Sequence, residues 1–222
     1  RCLTRLTQIL FNPDISLVLS LLNINKDSII YESGTGSGCL STNMAQILNN
    51  GKGHLYTLEF NKERQTKLNE GFKIFGFENT ISCIHRDVIE NGFELSEDIL
   101  VDPSHAKADG IFVDLPSPWN VVNSIKNVLR SGGALVSFSP CIEQIDKMMK
   151  KLRQNDFIYC KMYEIRYRSM GYSRSFNVSI PKLGVKRKFN QDIEYDEKEI
   201  NVKMNKGDMR GHTGFLIYAI KL

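Results

Sequence analysis

The chain has 222 residues, a mass of 25.3 kDa and a net charge of +4, with 41% hydrophobic and 24% charged residues. That length fits one α/β domain, or one carrying a large insertion, and the composition excludes global disorder. No apolar run reaches the roughly 18 residues of a membrane helix, and no signal-peptide pattern follows Arg1, so no membrane contact is expected.

Asp14 is placed to cap a helix over the apolar run 15–24. SIIYE (28–32) is a first strand, and a glycine turn then leads to Leu40, Met44, Ile47 and Leu48 at helical spacing. HLYTLEF (54–60) is a second strand and 62–75 a second helix; TISCIH (80–85) and GIFVD (110–114) are strands three and four. A helix is expected over 119–130, then a turn at Ser131-Gly132-Gly133 and a strand at ALVSFS (134–139). Ile142, Ile145, Met148, Met149 and Leu152 mark one face of an amphipathic helix.

Strands alternating with helices predict a mostly parallel sheet wrapped by helices. The late strands 157–165 and 215–221 have no convincing helix between them, which predicts antiparallel pairing at one edge. Between them, about 169–211 is rich in charge and poor in periodicity and reads as a charged insertion without regular structure. It carries the basic Lys186-Arg187-Lys188 and then the acidic DIEYDEKE (192–199). From Lys147 to Lys188 there are 12 Lys/Arg against Asp156 and Glu164, a net of +10 that leaves −6 for the rest. Such asymmetry points to a polyanion-facing side.

Cys2, Cys39, Cys83, Cys141 and Cys160 are scattered without a CxxC and read as free thiols. His54, His85, His105 and His212 show no ligand spacing, so no metal is expected.

YESGTGSGCLS (31–41) is the strongest local signal. Gly34, Gly36 and Gly38 sit between a strand and a helix, where a ligand can touch the backbone. Cys39 breaks the dinucleotide pattern GxGxxG, and no Lys-Ser/Thr follows, which excludes a Walker loop. Glu32 would repel a phosphate and favour a cation, such as the ammonium and sulfonium of S-adenosylmethionine. Glu59, closing strand two, can accept from both ribose hydroxyls; Asp87 suits an adenine amino group. With Asp114, acids end strands one to four and converge on the crevice expected of an open α/β sheet.

Six motifs in order, TQIL (7–10), ESGTGSG (32–38), TLEF (57–60), DLPSPW (114–119), SFSPCIEQ (137–144) and GHTGFL (211–216), carry a resemblance to a known family. The chain resembles the catalytic subunit of the tRNA adenine-N1 methyltransferase acting at position 58. The resemblance runs from Thr7 to Lys221 and fails mainly in the charged insertion. It implies a Rossmann-like class I methyltransferase, with a seven-stranded mostly parallel sheet and an antiparallel edge strand. It implies a methyl group passed from S-adenosylmethionine to N1 of adenine 58 in the tRNA T loop.

Leu10, Ser37, Gly38, Cys39, Glu59, Arg64, Asp87, Val88 and Asp114 match cofactor positions of that family. Gln8, Ile9, Pro116, Ser137, Phe138, Ser139, Pro140, Cys141, Gln144, His212 and Thr213 match positions near the target nucleotide. The family also has a small N-terminal β-rich domain, which this chain is expected to lack. Eukaryotic members pair with a non-catalytic homologous subunit as a two-plus-two heterotetramer, and prokaryotic relatives form homotetramers. A nuclear location follows for a eukaryotic member and a cytoplasmic one otherwise; VKRK (Val185–Lys188) reads as a nuclear-import signal or as a basic loop.

Asp114 is the expected catalytic group, accepting a hydrogen bond from the adenine amino group. Amino-group methyltransferases often use a D/N-P-P-aromatic motif in which a backbone carbonyl holds the flipped base. Here Leu115 and Ser117 spread that pattern apart, which favours the Asp114 side chain as the anchor. Pro116 and Pro118 restrict the loop, and Trp119 is expected to open the next helix and pack as core. Three other readings compete: another Rossmann methyltransferase acting on protein carboxylates, a non-catalytic RNA-binding subunit, and a nicotinamide oxidoreductase. The intact glycine loop argues against the second; Cys39 and Glu32 argue against the third.

Overall fold

The computed structural model describes residues 10–166, 174–181, 195–202 and 213–222. Two compact units are distinguished, one of residues 1–165 with 212–222 and one of residues 166–211.

In the larger unit the elements run α1 (Asn12–Leu21), β1 (Ile29–Ser33), α2 (Cys39–Leu48), β2 (His54–Glu59), α3 (Lys62–Ile74) and β3 (Ile81–His85). They continue with α4 (Val88–Asn91), β4 (Ala108–Asp114), α5 (Val122–Val128), β5 (Leu129–Ser139), α6 (Ile142–Arg153) and β6 (Phe157–Glu164). In the smaller unit, β7 (Arg174–Pro181) and β8 (Tyr195–Val202) pair antiparallel. The final strand, β9 (Phe215–Lys221), belongs again to the larger unit.

The main sheet has seven strands in the order β3-β2-β1-β4-β5-β9-β6. β3, β2, β1, β4 and β5 pair in parallel. β9 runs antiparallel to both β5 and β6, which is the expected antiparallel pairing at one edge. The strand order reverses between β1 and β4, so a crevice opens at their carboxyl ends. Strand alternation divides the core between the two faces. Tyr31, Ile111, Val113, Leu135 and Ile217 pack with Ile125 of α5 and Ile145, Met148 and Leu152 of α6. Ile30, Phe112, Val136 and Leu216 pack with Ile15 and Val18 of α1, Met44 of α2, and Leu68 and Phe72 of α3. Among the described residues, no helix is long and apolar enough to cross a membrane.

Several expectations are corrected. Asp14 is not the cap of α1: the N-cap is Phe11, with no side-chain cap bond, because Pro13 suits the first turn and moves the start upstream. Asp14 is instead buried, and its Oδ1 accepts from Thr213 Oγ1 at 2.8 Å. The helix expected over 119–130 is a 3₁₀ turn (Pro118–Val121) followed by α5, which stops at Val128. Leu129 is extended and pairs with Ala108, so Arg130 belongs to β5. Ile142 starts α6 at the open end of the sheet and stays 48% exposed, so the buried face begins at Ile145. The one-turn helix α4 was too short to show a period. The charged insertion contains the β7–β8 pair: Phe176, Val178 and Ile180 alternate along β7 in the sequence, but four charged residues in YDEKEINV (195–202) hide the strand period of β8. Val185–Lys188 lies outside the described residues.

His54 at the start of β2 is 4% exposed, and its Nε2 shares a hydrogen bond with Ser82 Oγ at 2.8 Å. Burial, helped by the nearby His105, lowers its pKa from 6.5 to about 4. The unfolded chain therefore binds the proton more readily, so this contribution to stability is complete above pH 6.5 and is lost as pH falls towards 4. In His54→Gln, the loss of unfolding free energy between pH 6.5 and 4.5 is expected to be smaller than in the parent by up to about 2 kcal/mol. Urea titrations across that range check it; parallel profiles would refute it.

Candidate active site

The crevice between β1 and β4 holds a cavity of about 670 Å³, within the roughly 300–1,000 Å³ usual for small-ligand sites. Of the residues expected to meet a cofactor, it is lined by Leu10, Glu32, Gly34, Gly36, Ser37, Cys39, Glu59, Arg64, Asp87, Val88 and Asp114. Gly38 lies just behind, as the N-cap of α2 in the left-handed region (φ 73°). A Cβ there would meet Leu68 and Phe72 at 3.0 Å, so this glycine lets α2 settle on α3.

Gly34 has the tightest constraint. Its φ is 88°, and a Cβ on it would lie 2.2 Å from the carbonyl oxygen of Asp114. The loop after β1 is thus pressed against the backbone of β4 at the residue that carries the expected catalytic carboxylate. Gly34 N donates to Leu58 O, which ties the loop to β2 as well.

Three buried or half-buried acids face this loop in different states. Glu59 is 3% exposed and engaged at both oxygens: Oε1 accepts from Asn61 N and Arg64 Nη1, both at 2.9 Å, and Oε2 from Gly36 N at 3.3 Å, leaving Oε2 room for another donor. Glu32 is 1% exposed and accepts from Ser41 Oγ at 2.5 Å. Burial pushes its pKa up to about 7; hydrogen bonds from Ser41 and Thr57 oppose this, and the charges of Asp114 and Glu59 add to it. Asp114 is half-buried, and desolvation raises its pKa to about 6. Among the described residues, neither Glu32 nor Asp114 has an ion-pair partner. The cavity's other arginine, Arg86, is turned to the backbone oxygens of Asn91, Gly92 and Glu94. The site therefore presents two uncompensated acids, which suits a cationic ligand. Asp87 caps α4 through Ile89 N at 2.8 Å and has a second oxygen to offer.

The residues expected near the target nucleotide are less uniform. Pro116 lines the cavity and is exposed, as are Pro140 and Cys141. Gln144 Nε2 donates to Pro116 O at 2.9 Å. Thr213 is bound to Asp14, and Phe138 is half-buried in the core beside Gly214. Ser137 and Ser139 are both 0% exposed, and among the described residues neither hydroxyl has a hydrogen-bond partner. Gln8, Ile9 and His212 lie outside the described residues. Trp119 is half-buried against the core, with Lys147 Nζ 4.9 Å from the ring centroid. Ser41 and Thr57, which hold Glu32, were missed. For Thr57 the signal was present: a hydroxyl in the middle of a buried strand needs a partner.

The fold is that of the Rossmann-like S-adenosylmethionine-dependent methyltransferases. It matches an S-adenosylmethionine-dependent O-methyltransferase of Thermotoga maritima with a TM-score of 0.72 at 22% identity, over 97% of this chain and 67% of that one. It matches the tRNA (m1A58) methyltransferase TrmI of Aquifex aeolicus with a TM-score of 0.69 at 21% identity, over 99% and 72%.

The chain belongs to the family described as the tRNA methyltransferase complex GCD14 subunit, whose model matches residues 1–221. It is 40% identical over 163 residues to the tRNA (adenine(58)-N(1))-methyltransferase catalytic subunit trmt61a of Dictyostelium discoideum, covering 73% of this chain and 50% of that protein. It is 38% identical over 175 residues to the catalytic subunit TRM61 of Candida glabrata, covering 73% and 46%. The chain thus spans about half the length of these relatives.

Gly34→Ala is expected to cost about 3 kcal/mol or more, since the new methyl meets a backbone carbonyl in a region side chains avoid. Gly71→Ala, within α3 and with no atom in the way, is expected to stabilise by about 0.5–1 kcal/mol. Denaturant unfolding of the two variants should therefore shift in opposite directions.

Proposed function

We propose that this chain is the catalytic subunit of a tRNA adenine-N1 methyltransferase, which methylates adenine 58 in the T loop using S-adenosylmethionine. The single observation that carries the reading is the Asp114 carboxylate, without an ion-pair partner among the described residues, at the cavity wall beside the glycine loop. The names of the relatives support it.

The donor set fits S-adenosylmethionine. Glu32 would face its cationic end, Glu59 its ribose hydroxyls, and Asp87 its adenine amino group, with Leu10 and Val88 as apolar walls. The cofactor supplies the electrophilic methyl carbon. The chain's own task is positioning, which is worth roughly 7–11 kcal/mol in well-aligned systems. The target adenine has to leave its stack to reach the cavity. Asp114 then accepts a hydrogen bond from the N6 amino group. This orients N1, raises its electron density, and stabilises the positive charge that the ring gains on alkylation. The net +10 of residues 147–188 supports phosphate contacts that position an RNA. The reading extends to a homologous non-catalytic subunit as partner in a two-plus-two assembly, and to a nuclear location in a eukaryote.

Asp114→Ala is expected to keep cofactor affinity largely intact while turnover falls several hundred-fold, about 3–4 kcal/mol. Single-turnover methylation of tRNA, mapped by reverse-transcription stops, checks this; a near-normal rate would remove Asp114 from the mechanism.

Cofactor affinity is also expected to depend on pH. A cation binds the ionised Glu32, whose pKa is raised to about 7, so affinity should rise from pH 5 to 7.5 by up to about tenfold per unit and then level off. Glu32→Gln should flatten that profile in calorimetry.

A further inference from the structure

The loop leaving Asp114 is held by a residue of α6. Gln144, the third residue of that helix, donates from Nε2 to the carbonyl of Pro116 at 2.9 Å. A carbonyl only accepts, so the amide nitrogen has to face it and Oε1 has to point away. That Oε1 is buried and, among the described residues, finds no donor. A buried acceptor left unpaired is costly, and such costs collect at functional sites.

Pro116 lies two residues beyond Asp114 and lines the same cavity. Pro116 and Pro118 have restricted φ and also restrict Leu115 and Ser117 before them, so the loop has few conformations and one clamp can select among them. Among the described residues, Gln144 is the only side chain hydrogen-bonded to the backbone of residues 115–118.

We propose that Gln144 is a positioning residue for the Asp114 carboxylate. Its amide clamps the Pro116 carbonyl and fixes the exit of β4. The proposal rests on adenine-N1 transfer as proposed above, and it gives Gln144 to the loop rather than to the base.

The test compares Gln144→Glu with Gln144→Lys in the assembled enzyme. Glutamate suits the first turn of a helix but cannot donate; lysine can. For Gln144→Glu, kcat is expected to fall about 10- to 100-fold, while KM for tRNA and cofactor affinity stay within about threefold. Hydrogen exchange in residues 114–121 should quicken in the absence of RNA. Gln144→Lys should recover most of kcat and of the protection. A Gln144→Glu enzyme with unchanged kcat and unchanged exchange overturns the proposal, as does a loss confined to KM. So does a lysine variant as slow as the glutamate one. If the parent enzyme makes no 1-methyladenine but exchange still responds to Gln144, the clamp stands and the substrate reading falls.

Discussion

The site depends on one close contact, that of Gly34 with the carbonyl of Asp114. No side chain fits between them, since even a Cβ would stand 2.2 Å from that oxygen. The loop that shapes the cofactor end of the cavity and the strand that delivers the reactive-end carboxylate therefore share one backbone surface. The parallel pairing of β1 with β4 brings them together, and Ser33 opposite Val113 is the last pair before the contact. A shift of register would separate the loop from the acid.

Around this contact, the acids divide by what they touch. Glu59 is stitched to Asn61, Arg64 and Gly36 and holds the loop in shape. Glu32 and Asp114 meet no ion-pair partner among the described residues, and burial pushes both pKa values upward. Leaving two acids uncompensated destabilises the ionised apo site and favours a cationic ligand. The same buried hydroxyls that accompany Glu32, Ser41 and Thr57, keep it from being wholly unsatisfied.

Much of this was legible beforehand. Glycines between a strand and a helix, and an acid at the end of each of four strands, are local signals tied to backbone geometry. The period-two and period-3.6 patterns located the strands of the main sheet, except that β5 starts at Leu129, inside the span expected to be helical. Legibility failed where a residue's role depends on distant neighbours. Asp14 looks like a cap, but it is bound to Thr213 across 199 positions of chain. Gln144 looks like one more residue of a helix start, yet it reaches the carbonyl of Pro116 across 28 positions. The β7–β8 hairpin was hidden because charge dominates its second strand.

By itself, the sequence determined the alternation of elements, the glycine loop, the four strand-end acids and the family. These are written in short spans of chain, where propensity, pattern and turn chemistry act locally. Tertiary structure alone decided which acids are neutralised and which are not, that Gly34 abuts Asp114, and that Gln144 reaches Pro116. Those outcomes depend on burial and on distances of a few ångströms between elements far apart in the chain, and no local pattern encodes either.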